Sequence, residues 1–120
     1  MILITGATGF VGQRLLRKLA QDSGLQVRVL LHHNGDDARL PQGLVYDRVV
    51  GDIGDRAALE AALDGVHTVI HLAGTDTRGR HARLQDVDVA GTRVLVRAAL
   101  TARVGRIMIV SRYGADRGSA

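Results

Sequence analysis

The clearest chemical signal is the stretch Gly6-Ala7-Thr8-Gly9-Phe10-Val11-Gly12, with glycines spaced G-x-x-G-x-x-G. It follows the apolar run Ile2-Leu3-Ile4 and opens a segment with helical periodicity. Glycine permits a tight turn and lets a ligand approach the backbone. A helix starting there offers unpaired N–H groups and a partial positive charge, both suited to phosphate. The spacing differs from the G-x-G-x-x-G of the general dinucleotide fingerprint, and the Gly-Lys-Ser/Thr of a Walker loop is missing. The bland alternative is a strand–helix turn that binds nothing. Further candidates are Asp52 after a later apolar run, the pair His32-His33, and Ser111 and Tyr113 near the C-terminus. Adjacent histidines point different ways and no third ligand is evident, so no metal site is expected.

Strand and helix patterns alternate along the chain, and they must carry these residues. Residues 1–5 predict a short buried strand. Residues 10–21 predict a helix with Val11, Leu15 and Leu19 on one face, stopped by Asp22-Ser23-Gly24. Residues 26–31 predict a second strand, and 32–43, polar and holding the sole proline (Pro41), a loop. Residues 44–50 predict a third strand, and 55–63 a short helix with Leu59 and Leu63 one turn apart. A fourth strand is expected over 67–72 and a polar loop over 75–80. A longer helix is expected over 82–102, its stripe Leu84, Val87, Gly91, Val94, Leu95 and Ala98. Residues 106–111 predict a fifth strand. Apolar strands joined by helical crossovers imply a parallel sheet covered on both faces. Right-handed connections then predict one three-layer α/β domain, a doubly wound Rossmann sheet of five strands in the order 3-2-1-4-5.

Bulk properties exclude several classes. The 120 residues are the size of one domain, and 46% hydrophobic content supports a packed core. Without cysteine there can be no disulfide, thiolate zinc site or cysteine nucleophile. The net charge of +4 comes from one lysine, Lys18, and arginines spread from Arg14 to Arg117, with 2% aromatics. Scattered arginine reads as a solvated surface, whereas a nucleic-acid site would cluster charge with stacking aromatics. No signal-peptide pattern opens the chain, and no apolar run nears the ~20 residues of a membrane helix. A cytoplasmic protein without membrane or nucleic-acid partners is expected.

Taken together the motifs resemble a family. Ile4-Thr5-Gly6-Ala7-Thr8-Gly9-Phe10-Val11-Gly12 is similar to the opening of extended and atypical short-chain dehydrogenases/reductases, including the NmrA-like NAD(P)-binding group. Gly51-Asp52-Ile53-Gly54-Asp55, Val69-Ile70-His71-Leu72-Ala73-Gly74, Ala90-Gly91-Thr92 with Ala98-Ala99, and Val110-Ser111 resemble its later motifs in the same order. The resemblance implies that Gly6, Thr8, Gly9, Phe10, Val11 and Gly12 hold a pyrophosphate, mostly through backbone N–H groups. It implies that Asp52 and Ile53 meet the adenine, and that Leu72, Ala73 and Gly74 line the pocket beside ribose and phosphates. Asp52 can also be read as a turn or helix N-terminal carboxylate.

An acidic residue about 20 positions past the turn would favour NAD. The second strand instead ends at Leu31-His32-His33, with Arg28 and Arg39 nearby in sequence, which leans the reading to NADP over NAD. His32 can hydrogen-bond a 2′-phosphate; an exposed loop pair is the alternative. The family's usual chemistry uses a Ser or Thr after strand five and a Tyr-x-x-x-Lys. Here Ser111 and Tyr113 lie near the expected place, though Ser111 is not a clean match; Tyr113 and Arg117 have the tyrosine–base spacing but fall too early in the chain and read as coincidence, and Asp88 replaces a frequent asparagine. The catalytic residues are thus not identified. The sequence is expected to be the NAD(P)-binding part of a longer protein, with the substrate region elsewhere and an open strand-five edge suited to self-association. The parent reads as an oxidoreductase or epimerase-like enzyme. The alternative is a non-catalytic dinucleotide-binding sensor or accessory subunit, NmrA-like or resembling those of respiratory NADH dehydrogenase.

Overall fold

The computed structural model describes residues 1–22, 24–32, 34–72 and 81–110, with residues 34, 35, 37 and 81–90 described by backbone alone. His33, Ala73, Gly74, Ser111 and Tyr113 lie outside the described residues, as do the side chains of Leu84, Val87 and Asp88.

Five parallel strands, β1 (Ile2–Thr5), β2 (Val27–Leu31), β3 (Asp47–Val50), β4 (Thr68–His71) and β5 (Arg106–Ile109), form one sheet. Their order is β3-β2-β1-β4-β5, the Rossmann-like order expected from the sequence. Helices α1 (Phe10–Ala20), α2 (Arg56–Leu63) and α3 (His81–Thr101) make three of the four crossovers, and the β2–β3 connection makes the fourth. Side chains alternate between the faces of a strand, and two cores result. Leu3, Leu30 and Val69 pack with Leu59, Leu63 and Leu95 of α2 and α3. Ile4, Val29 and Leu31 pack with Leu16 of α1 and with Leu40. Full burial of each such leucine contributes roughly 1.5–3 kcal/mol. The inner strands β1, β2 and β4 are largely buried, whereas the edge strands β3 and β5 are largely exposed.

Three local expectations change. The buried stripe of α1 is Gly12 and Leu16, flanked by half-buried Leu15 and Leu19, while Val11 is 56% exposed. Gly12 is the residue pressed on the glycine turn, so the contacting face is rotated by one residue from the predicted one. β3 begins at Asp47, not at Leu44, because Asp47 already pairs with Arg28 near the start of β2. Residues before it have almost no neighbouring strand left, and Val45 is 92% exposed. The predicted loop after β2 contains a 3-10 helix, Asn34–Arg39. Its polar residues carry no hydrophobic period to betray it, and its anchor, Leu40, follows it into the α1-side core.

Arg28 is the one charged residue within β2. Its Nε donates to Asp47 Oδ2 at 2.9 Å, and one terminal nitrogen donates to the carbonyls of Ala61, Ala62 and Asp64 at 3.2, 2.8 and 2.7 Å. The guanidinium therefore caps the C-terminal end of α2, where orphan carbonyls and the negative end of the helix dipole converge. It sits near the start of β2 and is committed there, so it does not serve a ligand at the opposite end of the strand.

Candidate nucleotide-binding crevice

Parallel strands place all their C-terminal ends on one edge of the sheet. The chain leaves β1 toward β2 but returns on the other side to form β4, so the strand order reverses between β1 and β4. Ligands of open α/β sheets bind outside such a reversal. Here Thr5 pairs with His71, and the Leu72 amide donates to the Thr5 carbonyl at 2.9 Å. Gly6 and Leu72 thus leave the sheet side by side.

The three glycines of the turn answer to different demands. Gly6 has φ +80°, the left-handed region that favours glycine. A Cβ on Gly12 would lie 2.1 Å from the Gly6 carbonyl oxygen, so α1 can rest on the turn only if residue 12 has no side chain. Gly9 is unlike both. Its φ of −75° and ψ of 172° suit any residue. The nearest atom to a Cβ there would be the Gly6 oxygen at 3.4 Å, an ordinary contact. The protein itself does not require glycine at position 9.

Gly9 is also the N-cap of α1, and among the described residues no side chain caps that end. The Gly9 carbonyl accepts from the Gln13 amide at 2.9 Å, and Gln13 Nε2 donates to the Thr8 carbonyl at 2.7 Å, which fastens the turn to the first helical turn. The amides of Phe10, Val11 and Gly12 belong to the orphan donors of a helix start. Phe10 is 73% exposed, with the Arg14 guanidinium 4.3 Å above its ring. The result is a left-handed turn and an uncapped helix start without acidic residues in its first turn. It can accept an oxyanion.

On the same edge of the sheet, beyond β2, lies the end of β3. The Gly51 amide donates to the Leu31 carbonyl at 2.8 Å, and a Cβ on Gly51 would meet that of Ala58 at 2.2 Å, so α2 starts close against the sheet. Asp52 is exposed; its Oδ1 accepts from the Gly54 amide at 3.2 Å, a turn carboxylate. Helix capping belongs to Asp55, whose Oδ1 accepts from the amides of Ala57 and Ala58 at 3.0 and 3.3 Å. Ile53 packs against the α2/α3 core and touches Gly91. His32 follows β2 and is exposed on the same edge of the sheet.

The fold therefore gathers Gly6 to Gly12, His32, Asp52, Ile53 and Leu72 along one edge. Ala73, Gly74, Ser111 and Tyr113 lie outside the described residues. A groove of about 550 Å3 between α2 and α3 is lined by none of the predicted site residues. Among the described residues there is no group of three His, Cys, Asp or Glu that could hold a metal ion, and no helix is long and apolar enough to cross a membrane.

Sequence reasoning missed one feature. His71 is buried; its Nδ1 lies 2.6 Å from Thr5 Oγ1 and its Nε2 3.3 Å from Thr92 Oγ1 of α3. The signal was available: residues aligned in neighbouring strands share a face of the sheet, so Thr5 and His71 meet once the strands are in register.

A model of the 3-beta hydroxysteroid dehydrogenase/isomerase family matches residues 3–116. The chain is 39% identical over 115 residues to sterol demethylase protein B of Methylococcus capsulatus, covering 94% of this chain and 34% of that protein. It is 34% identical over 117 residues to a ceramide reductase of Caulobacter vibrioides, covering 86% of this chain and 36% of the relative. The chain thus spans about a third of the length of these curated relatives. Among solved structures, a short-chain dehydrogenase/reductase superfamily protein from Agrobacterium tumefaciens, with bound NAD, superposes with a TM-score of 0.72 at 34% identity, covering 92% of this chain and 32% of that one. The chain belongs to the 3-beta hydroxysteroid dehydrogenase/isomerase family, a branch of the extended short-chain dehydrogenases/reductases.

Proposed function

We propose that these 120 residues form the NAD(P)(H)-binding domain of a longer short-chain dehydrogenase-like protein, an oxidoreductase or epimerase-like enzyme whose substrate region lies elsewhere. The observation that carries this reading is Gly9. The fold needs Gly6 and Gly12 but not a glycine at 9, and the position caps an open helix start at the strand reversal. A glycine that the protein can do without marks a place where a ligand's backbone-hugging group needs the room. The NAD bound by the Agrobacterium relative supports the same ligand class.

In this reading the backbone of Gly6, Thr8, Gly9, Phe10, Val11 and Gly12 holds the pyrophosphate. Asp52 and Ile53 meet the adenine, the carboxylate accepting from its exocyclic amine, and Leu72, Ala73 and Gly74 flank the ribose. When bound, the nicotinamide supplies or takes up hydride; this chain's residues bind and orient it. The tip of β2 presents His32 and no carboxylate, which favours the 2′-phosphate of NADP over a bare ribose. The catalytic pair is not assigned. The sequence has no Tyr-x-x-x-Lys, since Lys18 is its only lysine, and Arg117 follows Tyr113 at that spacing.

Titration of NADPH and NADH, followed by nucleotide fluorescence, tests the reading. Saturable binding that Gly9→Val abolishes without loss of the folded circular-dichroism spectrum is expected. Failure of both nucleotides to bind the parent sequence would overturn it. Self-association of the isolated 120-residue chain through β5, where Met108 and Ile109 are about half exposed, is a further part of the proposal. Sedimentation that stays monomeric at high concentration would refute that part.

A further inference from the structure

We infer that Thr92 and His71 are positioning residues for the pyrophosphate half of the crevice, acting through Thr5. This rests on the cofactor reading above.

Thr5 and His71 are aligned partners at the last rungs of β1 and β4, and both are buried. Each is followed at once by a predicted ligand-contacting residue, Gly6 and Leu72. A ring nitrogen 2.6 Å from Thr5 Oγ1 therefore ties together the two strand ends from which the crevice opens. The opposite ring nitrogen, 3.3 Å from Thr92 Oγ1, ties that pair to α3. A neutral imidazole has one donor and one acceptor on opposite sides. A threonine hydroxyl can serve as either, so the ring satisfies both neighbours in either tautomer. No other uncharged side chain spans two hydroxyls in this way: an amide presents both its polar atoms from one end.

The adjacent residue on α3 serves the other half of the crevice. A Cβ on Gly91 would stand 3.2 Å from Ile53 Cγ2, so Ile53 rests on bare helix backbone. The loop that carries Ile53 is otherwise held by the Asp52 turn and by the Gly51–Leu31 hydrogen bond, neither of which involves His71. Two successive residues of α3 thus set the two halves separately: Thr92 the pyrophosphate side through His71 and Thr5, Gly91 the adenine side through Ile53. Removing the Thr92 or Thr5 hydroxyl would loosen the geometry of Gly6 relative to Leu72 and leave the adenine seat in place.

The experiment measures affinity for NADPH, NADH and adenosine in the full chain and in Thr5→Val, Thr92→Val, His71→Phe and Gly91→Ala, with thermal melting as the control for folding. Adenosine, which lacks phosphate, reports on the adenine half alone, and ligand-observed NMR detects its weak binding. Thr92→Val, a half-buried isosteric change, is the variant least exposed to misfolding. The expected result is a loss of about tenfold in dinucleotide affinity for Thr5→Val and Thr92→Val, the scale of one hydrogen bond, with adenosine unaffected. Thr5→Ser should restore binding, and Gly91→Ala should weaken adenosine and dinucleotide together. Unchanged dinucleotide binding in the valine variants would overturn the proposal. So would a parallel loss of adenosine and dinucleotide in those variants that serine does not rescue, since that pattern reports general destabilisation. If the unaltered chain binds neither dinucleotide, the cofactor reading itself has failed, an outcome distinct from both.

Discussion

The N-termini of α1 and α2 both lie at the C-terminal edge of the sheet, each a few residues beyond a parallel strand, and both follow a glycine-containing turn. At α2 the N-cap is Asp55, whose carboxylate accepts from two orphan amides. At α1 the N-cap is Gly9, and no described side chain takes that place. One helix start is closed by its own chain and the other is open. A parallel α/β sheet creates several places where helix dipoles and free amides could attract an anion. A site persists only where the sequence withholds the cap. The glycine and the aspartate thus differ in role: one leaves a helix start open, the other closes its own and secures the fold.

The most direct way to break this contrast is to give α1 the cap that α2 has. Gly9→Asp is expected to reduce NADPH and NADH affinity by about 100-fold or more, roughly 2.7 kcal/mol, because a carboxylate replaces the phosphate on the same amides. Its melting temperature should hold or rise. A variant that binds as before would sever the link between an open cap and ligand binding. Gly12→Ala comes next: with its Cβ 2.1 Å from the Gly6 oxygen, it is expected to lose roughly 1–3 kcal/mol of stability by overpacking, read from urea denaturation. Binding should fall with it, unlike the pattern for Gly9. Asp55→Ala removes the cap of α2 and should cost about 1 kcal/mol of stability with little change in affinity; a larger loss of binding than of stability would show the two helix starts to be coupled. The smallest effect belongs to the exposed Arg56–Glu60 pair, 3.1 Å apart on α2. Glu60→Ala should change stability by no more than about 0.5 kcal/mol, with the same urea measurement as the check.

The strand order was legible because every apolar run is separated by a helix-length crossover, and parallel connections of that kind leave few topologies. Gly12 was legible too, since its separation from Gly6 puts the first helical turn against the strand end. What the one-dimensional pattern could not carry was geometry set by neighbours. Val11 has the right spacing for a buried stripe, but the close approach of Gly12 to the glycine turn aims the contacting face one residue away and leaves Val11 exposed. Leu44 and Val45 look like strand residues, but β2 begins too late to pair with them. Arg28 reads as a basic residue close to the nucleotide site in sequence, yet the strand carries it to the far end, where α2 terminates. Asp52 and Asp55 share an acidic turn, and only the backbone directions assign the Asx turn to the first and the helix cap to the second. For Val11, Val45 and Arg28 the residue type was informative and its surroundings were not, because those come from a distant part of the chain; for the two aspartates the partners are local and only the backbone direction decides.

Arg28 has a consequence for the opening motions of the molecule. Helix ends ordinarily fray, and their last amides exchange with solvent sooner than those of the interior. Here one guanidinium grips the last carbonyls of α2 and, through Asp47, the first rung between β2 and β3. Fraying α2 therefore means surrendering a charged contact to the sheet as well as a helical turn. The last turn of α2 and the β2–β3 ladder become a single unit that opens together.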